Sequence, residues 1–194
     1  ISNILLNYKL GKLKKFDGIK EGIENTNYFV ETEKGKYILT IYEKRVKSED
    51  LPFFSKLMLE LSKKNFICPK PILNKKDSYI SNLNEKEFMI VSFLEGKSKH
   101  NLSPSECKII GNETARFHQI TKGFSFKREN SLSVKSWRRI FTQVKDKCNK
   151  IHSYLPKLIE ANLINNEKEW PKRLPTGIIH ADLFTDNIFF KNNK

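Results

Sequence analysis

Gly177-Ile178-Ile179-His180-Ala181-Asp182-Leu183-Phe184-Thr185-Asp186-Asn187-Ile188-Phe189-Phe190 is the stretch that decides which fold this chain adopts. Two apolar runs, Ile178-Ile179 and Ile188 to Phe190, flank a polar segment, a pattern that predicts strand, loop, strand. Asp182 and Asn187 stand five residues apart in that loop. On a loop pinned at both ends they can face one pocket, while His180 fixes the backbone by hydrogen bonding. Phosphoryl transfer to an alcohol needs a carboxylate that orients the hydroxyl and accepts its proton, beside an amide oxygen that ligates Mg²⁺ without competing as a base. The plainer alternative is that Asp182, Asp186 and Asn187 only make turns and that His180 is a structural histidine. An H-x-D pair by itself does not separate the two readings; its setting in the chain does.

Upstream of the loop the pattern is helical. Ser103, Pro104, Ser105 and Glu106 form an S-x-x-E capping box with proline at the first helical position, and Cys107, Ile110, Thr114, Phe117, His118 and Thr121 continue one face. A further helix is expected over 136–152 on Trp137, Ile140, Phe141, Val144, Cys148 and Ile151, and another between Pro156 and Leu163. Further back the pattern changes to strands. Asn27 to Val30 and Tyr37 to Tyr42 are β-branched or aromatic, and Glu33 to Lys36 supply a turn, which together predict a hairpin. Ser48, Glu49, Asp50 and Pro52 then start a helix carried by Leu51, Phe54, Met58 and Leu61, expected to cross the hairpin, and Glu87 to Leu94 read as another strand ending at Gly96. Strands first and helices second imply an α+β protein of two lobes, 1–96 and 97–194, joined near Leu94 to Leu102.

Composition narrows the function classes. The 38% hydrophobic content with 14 Phe is enough for a real core, so the chain is expected to be globular. No apolar run approaches the roughly 20 residues that span a bilayer, and Ile1 to Leu10 lacks the apolar segment of a secretory signal, so a soluble cytoplasmic protein without a membrane partner is expected. Cys68, Cys107 and Cys148 are far apart and lack a C-x-x-C pair, which argues against a disulfide framework or a zinc site. A net charge of +14 invites nucleic acid as a partner, but only six of the basic residues are Arg and the lysines are scattered, so solvated surface is the better reading. The chain begins at Ile1 without Met and ends at Lys194 directly after a strand-like apolar run, from which truncation at both ends is expected.

The ordered segments together carry a family resemblance. Gly22-Ile23-Glu24-Asn25-Thr26-Asn27-Tyr28-Phe29-Val30, Leu39-Thr40-Ile41-Tyr42-Glu43-Lys44-Arg45, Asp50-Leu51-Pro52-Phe53-Phe54, Val91-Ser92-Phe93-Leu94-Glu95-Gly96, Arg128-Glu129-Asn130-Ser131-Leu132 with Trp137, and the loop at His180 run through nearly the whole chain. In this order they resemble the aminoglycoside phosphotransferase and choline kinase superfamily, and within it the homoserine kinase branch; the loop itself is related to the H-R-D-x-x-x-x-N of protein kinases.

The resemblance implies a bilobal protein-kinase-like fold, an antiparallel N-terminal sheet with one helix and a mainly helical, truncated C-terminal lobe. It implies ATP and Mg²⁺ as cofactors and L-homoserine as acceptor, in threonine biosynthesis. Asp182 and His180 take the catalytic positions and Asn187 that of a metal ligand. Asn25, Thr26 and Asn27 replace phosphate-loop glycines, and Ser92 and Leu94 match the hinge that pairs with adenine through main-chain groups. Arg128 and Asn130 are the candidates for the zwitterionic substrate, Arg128 as plain surface charge being the alternative; Trp137 reads as core. Thr40 and Phe54 stand where most such kinases carry a lysine and its glutamate partner, which leaves Lys44 and Arg45 as candidate phosphate cations. The resemblance also implies a second metal-binding aspartate after Lys194, so residues 1–194 alone are expected to turn over little or nothing. The alternatives are a kinase of this fold acting on another small amino alcohol or sugar, and a non-catalytic nucleotide-binding pseudokinase.

Overall fold

The structure is a computed structural model that describes residues 1–20, 25–43 and 46–191. Gly22 to Glu24, Lys44 and Arg45 lie outside the described residues. Two compact units divide the chain, Ile1–Lys127 with Gly177–Lys194, and Arg128–Thr176.

The first unit is built on five antiparallel strands, β1 Leu13–Ile19, β2 Asn25–Thr32, β3 Gly35–Tyr42, β4 Ser81–Leu83 and β5 Lys86–Ser92, in the order β1-β2-β3-β5-β4. The predicted hairpin is β2 and β3, paired without a break from Asn25↔Tyr42 to Thr32↔Gly35. Alternation along these strands sends Tyr28, Val30, Leu39, Phe88 and Ile90 to one face. There they form a core with Ile4, Leu5, Tyr8 and Leu10, residues of a short helix α1 (Ser2–Leu5) and the segment after it. Val30 and Ile90 are 0% exposed, and burying such side chains stabilises by about 1.5–3 kcal/mol each. Thr32, buried at the hairpin end, donates its hydroxyl to the Leu10 carbonyl at 2.6 Å, so this corner carries no unsatisfied hydroxyl.

Helix α2 spans Leu51–Lys63, with Pro52 in its first turn; of the predicted face Leu51 and Leu61 are buried and Phe54 and Met58 half-buried, while Ser55, which the spacing did not mark, is buried as well. Helix α3, Pro104–Ile120, opens on the expected box: the Glu106 N–H donates to Ser103 Oγ and the Ser103 N–H donates to the Glu106 carboxylate at 2.8 Å.

The second unit is a helical hairpin, α4 Val134–Ile151 and α5 Leu155–Glu169. Phe141, Cys148 and Pro156 are its buried residues. Trp137 meets Trp170 edge to face at 5.1 Å, and Arg138 donates from Nε to Glu167 at 2.8 Å. That ion pair raises the guanidinium pKa further. Among the described residues no helix is long and apolar enough to cross a membrane.

Candidate active site

The predicted strands around the His180 loop do not form as such. Residues 177–180 pair with no ladder among the described residues, and of Ile188 to Phe190 only Phe190 makes a bridge, to Lys97. Apolar runs favour extended backbone, but a strand also needs a neighbouring edge, and a run of isoleucines does not reveal whether one exists.

The loop between them is nevertheless closed on itself. Thr185–Asn187 make one 3₁₀ turn, the Asn187 N–H donating to the Phe184 carbonyl at 3.0 Å. The Asn187 side-chain amide then donates twice, to the Asp182 carbonyl and to Asp182 Oδ2, each at 2.9 Å. Asp182 and Asn187, paired on paper by their spacing, are thus in contact. Because the amide nitrogen faces the carboxylate, Asn187 Oδ1 and Asp182 Oδ1 are both left as open acceptors. Both residues are exposed, open to a substrate. Ala181, between His180 and Asp182, has φ of 66°, a left-handed conformation that costs a residue with a Cβ roughly 1–2 kcal/mol. No signal in the sequence marks that position, since alanine carries none of the turn chemistry of glycine or asparagine. His180 is exposed, and no hydrogen bond of its imidazole is recorded among the described residues. Leu183, Thr185 and Ile188 line one side of an open cavity of about 540 Å³ whose other side is α3, at Ile110, Thr114 and His118.

Asn25, Thr26 and Asn27 lie in β2 rather than in a turn, and strand alternation separates them. Thr26 donates to Glu43 Oε1 at 3.0 Å, and Glu43 is paired with Lys86 at 2.7 Å. The Asn25 and Asn27 side chains share the opposite face. Asn25 Oδ1 accepts from the Glu43 N–H at 3.4 Å, and Asn27 Oδ1 accepts from the Thr40 hydroxyl of its cross-strand partner at 2.8 Å. Each amide therefore keeps its NH₂ as donor. Burial pushes the hydroxyl of Tyr42, opposite Asn25, up to about 12. Thr40 thus holds an asparagine where a lysine–glutamate pair was the common alternative, and Phe54 packs edge to face on Phe53 at 5.6 Å.

At the hinge, Ser92 is already engaged: its N–H donates to the Lys70 carbonyl at 2.8 Å and its hydroxyl accepts from the Lys70 N–H at 2.9 Å. Phe93 donates to the Lys36 carbonyl at 3.1 Å. Leu94, exposed and beyond the end of β5, is where main-chain groups have no recorded backbone partner among the described residues, which makes it the better placed of the two hinge candidates.

In the second unit, Asn130 Oδ1 accepts from the Leu132 N–H at 3.0 Å, and its carbonyl accepts from the Ser133 N–H at 3.1 Å, a turn that leads into α4. Arg128 opens that unit and has an interaction partner of its own. Among the described residues no group of three or more His, Cys, Asp or Glu is arranged to hold a metal ion. The arrangement at Asn187 suits instead a hard cation that takes one protein oxygen and fills its shell from phosphates and water.

Comparison with known proteins bears on the family and the fold. The family described as phosphotransferase enzyme family matches residues 15–194. A homoserine kinase of Methylobacterium nodulans is 42% identical over 186 residues, 96% of this chain and 58% of the relative. A homoserine kinase of Rhodopseudomonas palustris is 39% identical over 194 residues, 100% of this chain and 60% of the relative. The chain thus spans less than two thirds of the length of these relatives. Among solved structures, the AMP-bound complex of a spectinomycin phosphotransferase superposes with a TM-score of 0.63 over 98% of this chain and 65% of that one, at 15% identity. That likeness establishes the fold, and the α+β class with its antiparallel sheet followed by helices is the one expected from the sequence.

Proposed function

Because the chain belongs to the phosphotransferase enzyme family, we propose that the protein to which it corresponds transfers the γ-phosphoryl group of ATP to the side-chain hydroxyl of L-homoserine. The observation that carries the reaction class is the Asp182–Asn187 contact. Asp182 orients the hydroxyl and accepts its proton as the oxygen attacks phosphorus, while Asn187 Oδ1 ligates Mg²⁺, which when bound neutralises charge on the phosphates. Most of the rate enhancement then comes from positioning and charge stabilisation. His180 keeps its place two residues before Asp182 in this reading, but the hydrogen bond by which it was expected to brace the loop is not formed among the described residues. Asn25 and Asn27 offer amide donors to phosphate, with Thr26 holding Glu43 behind them. Leu94, following Ser92, pairs with adenine through its main chain. For the acceptor, Arg128 suits the carboxylate of homoserine and Asn130 its ammonium. We assign residues 1–96 to the nucleotide-binding lobe and 97–194 to part of the catalytic lobe, and place the reaction in the cytoplasm.

The identity to homoserine kinases supports the choice of acceptor. A panel of alcohols assayed with ATP and full-length protein tests it: homoserine is expected to give the highest kcat/KM, and preference for choline, ethanolamine or an aminoglycoside overturns it. Thr40 and Phe54, in place of an ion pair, favour one second reading, a nucleotide-binding protein without catalysis. ATP binding with no turnover of any alcohol would establish that instead.

A further inference from the structure

Four residues of the segment 95–99 touch the far end of the loop. Glu95 pairs with Lys191 at 2.7 Å. Gly96 lies so close to the chain that a Cβ there would sit 3.0 Å from the Phe189 Cβ and 3.2 Å from the Phe190 carbonyl oxygen. Lys97 and Phe190 exchange both backbone hydrogen bonds at 3.0 Å. The Lys99 ammonium lies 5.1 Å from the centre of the Phe190 ring, and Phe190 is 7% exposed.

The same segment is fastened at both its own ends. Behind it, Phe93 is bonded to Lys36 next to the sheet. Ahead of it, Lys99 is paired with Glu106, which also accepts from the N–H and the hydroxyl of Ser103, each at 2.8 Å, at the cap of α3. Phe190 lies three residues after Asn187, whose own restraints are all inside the loop.

We infer that Lys99, held by Glu106, is a positioning residue for the metal ligand: through Phe190 and the Gly96–Lys97 backbone it fixes where Asn187 Oδ1 stands. This rests on the phosphotransfer reading above only in taking Asn187 as the ligand. A ligand oxygen must be held to about 0.5 Å to serve a cation, and Asn187 sits on an exposed loop with no ladder on its His180 side, so the segment that follows it, bridged at Phe190, is what locates it against the rest of the unit. Supports of this kind, one step removed from a metal, change its affinity by roughly 10–100-fold when lost.

The test uses full-length protein and ADP, with and without Mg²⁺, read by calorimetry. Wild type is expected to bind ADP more tightly with Mg²⁺ than without. Lys99→Met, which keeps the stem over Phe190 and removes the charge, is expected to cut that Mg²⁺ advantage about tenfold while leaving metal-free ADP affinity unchanged. Lys99→Arg, which restores both the ion pair and the cation over the ring, is expected to recover it. Gly96→Ala, which pushes on Phe189 from the other side, shifts the ratio in the same direction and serves if Lys99→Met does not fold.

A folded Lys99→Met protein with the wild-type Mg²⁺ ratio overturns the inference and leaves the proposed reaction standing. If the ratio falls as expected in a protein that phosphorylates no alcohol, the inference holds and the reaction does not. A wild type indifferent to Mg²⁺ removes the metal role of Asn187 and this inference with it.

Discussion

The sheet of the first unit and the loop from Gly177 to Lys191 are held by opposite means. In the sheet each strand specifies its neighbour: eight consecutive residue pairs join β2 and β3, and Val30, Met89 and Ile90 are 0% exposed. In the loop the chemically interesting groups are exposed, the flanking strands are missing, and rigidity comes from two small sources. These are the inner contact of Asp182 with Asn187 and the outer fastening of 189–191 by 95–99. Stability and the proposed chemistry therefore reside in different residues, as is usual where a functional loop sits on a rigid scaffold.

The separation predicts that the largest functional loss comes from a substitution that costs no stability. Asp182→Asn keeps an oxygen for the Asn187 amide but removes the base. In full-length protein with ATP and homoserine, kcat is expected to fall about 10³-fold, equivalent to about 4 kcal/mol, with the melting temperature unchanged. A fall below tenfold would remove Asp182 from the chemistry.

The reverse substitution is Leu39→Ala, at a side chain 1% exposed in the centre of β3. It is expected to lower the free energy of unfolding by about 3 kcal/mol in a urea titration, leaving kcat of the remaining folded enzyme within a factor of two. Were kcat to drop tenfold or more in the folded fraction, the sheet would be part of the catalytic machinery and the comparison would break.

The same contrast governs what can be read from sequence. The β2–β3 hairpin, α2, α3 and the α4–α5 pair are written in periodicity, caps and prolines, all local signals. β1 was not legible because it is an edge strand: Lys14, Lys15, Asp17 and Gly18 suppress alternation where five of its seven residues are exposed. β4 was missed because its turn to β5 is Asn84-Glu85, with φ of 46° and 66°, and glutamate does not announce a left-handed position as glycine does. In the loop, the pairing of Asp182 with Asn187 followed from residue type and spacing. The strands around it did not follow, because pairing depends on distant chain. Thr26 shows the cost of reading three adjacent residues as one cluster: once they lie in a strand, the middle one faces away. The fastening at 95–99 was invisible, being made of backbone, a glycine and a lysine that only the fold brings to Phe190.

The smallest effect expected is also the one that joins the two regions. Hydrogen bonds from Lys99 and from Ser103 hold the Glu106 carboxyl down at about 2, below its ordinary 4.5. A carboxylate with a depressed folded pKa stabilises the native state above its unfolded pKa and loses that contribution as pH falls towards the folded value. The cap of α3 and the Lys99 contact should therefore weaken between about pH 4.5 and pH 2. Glu106→Gln removes the titrating group while keeping an oxygen for Ser103, so its melting temperature should lie below wild type at pH 7 and converge with it as the pH is lowered through that window. Parallel curves would mean that Glu106 acts through shape alone. Convergence would show that the Glu106 charge itself, held by Ser103 and Lys99, stabilises the cap of α3.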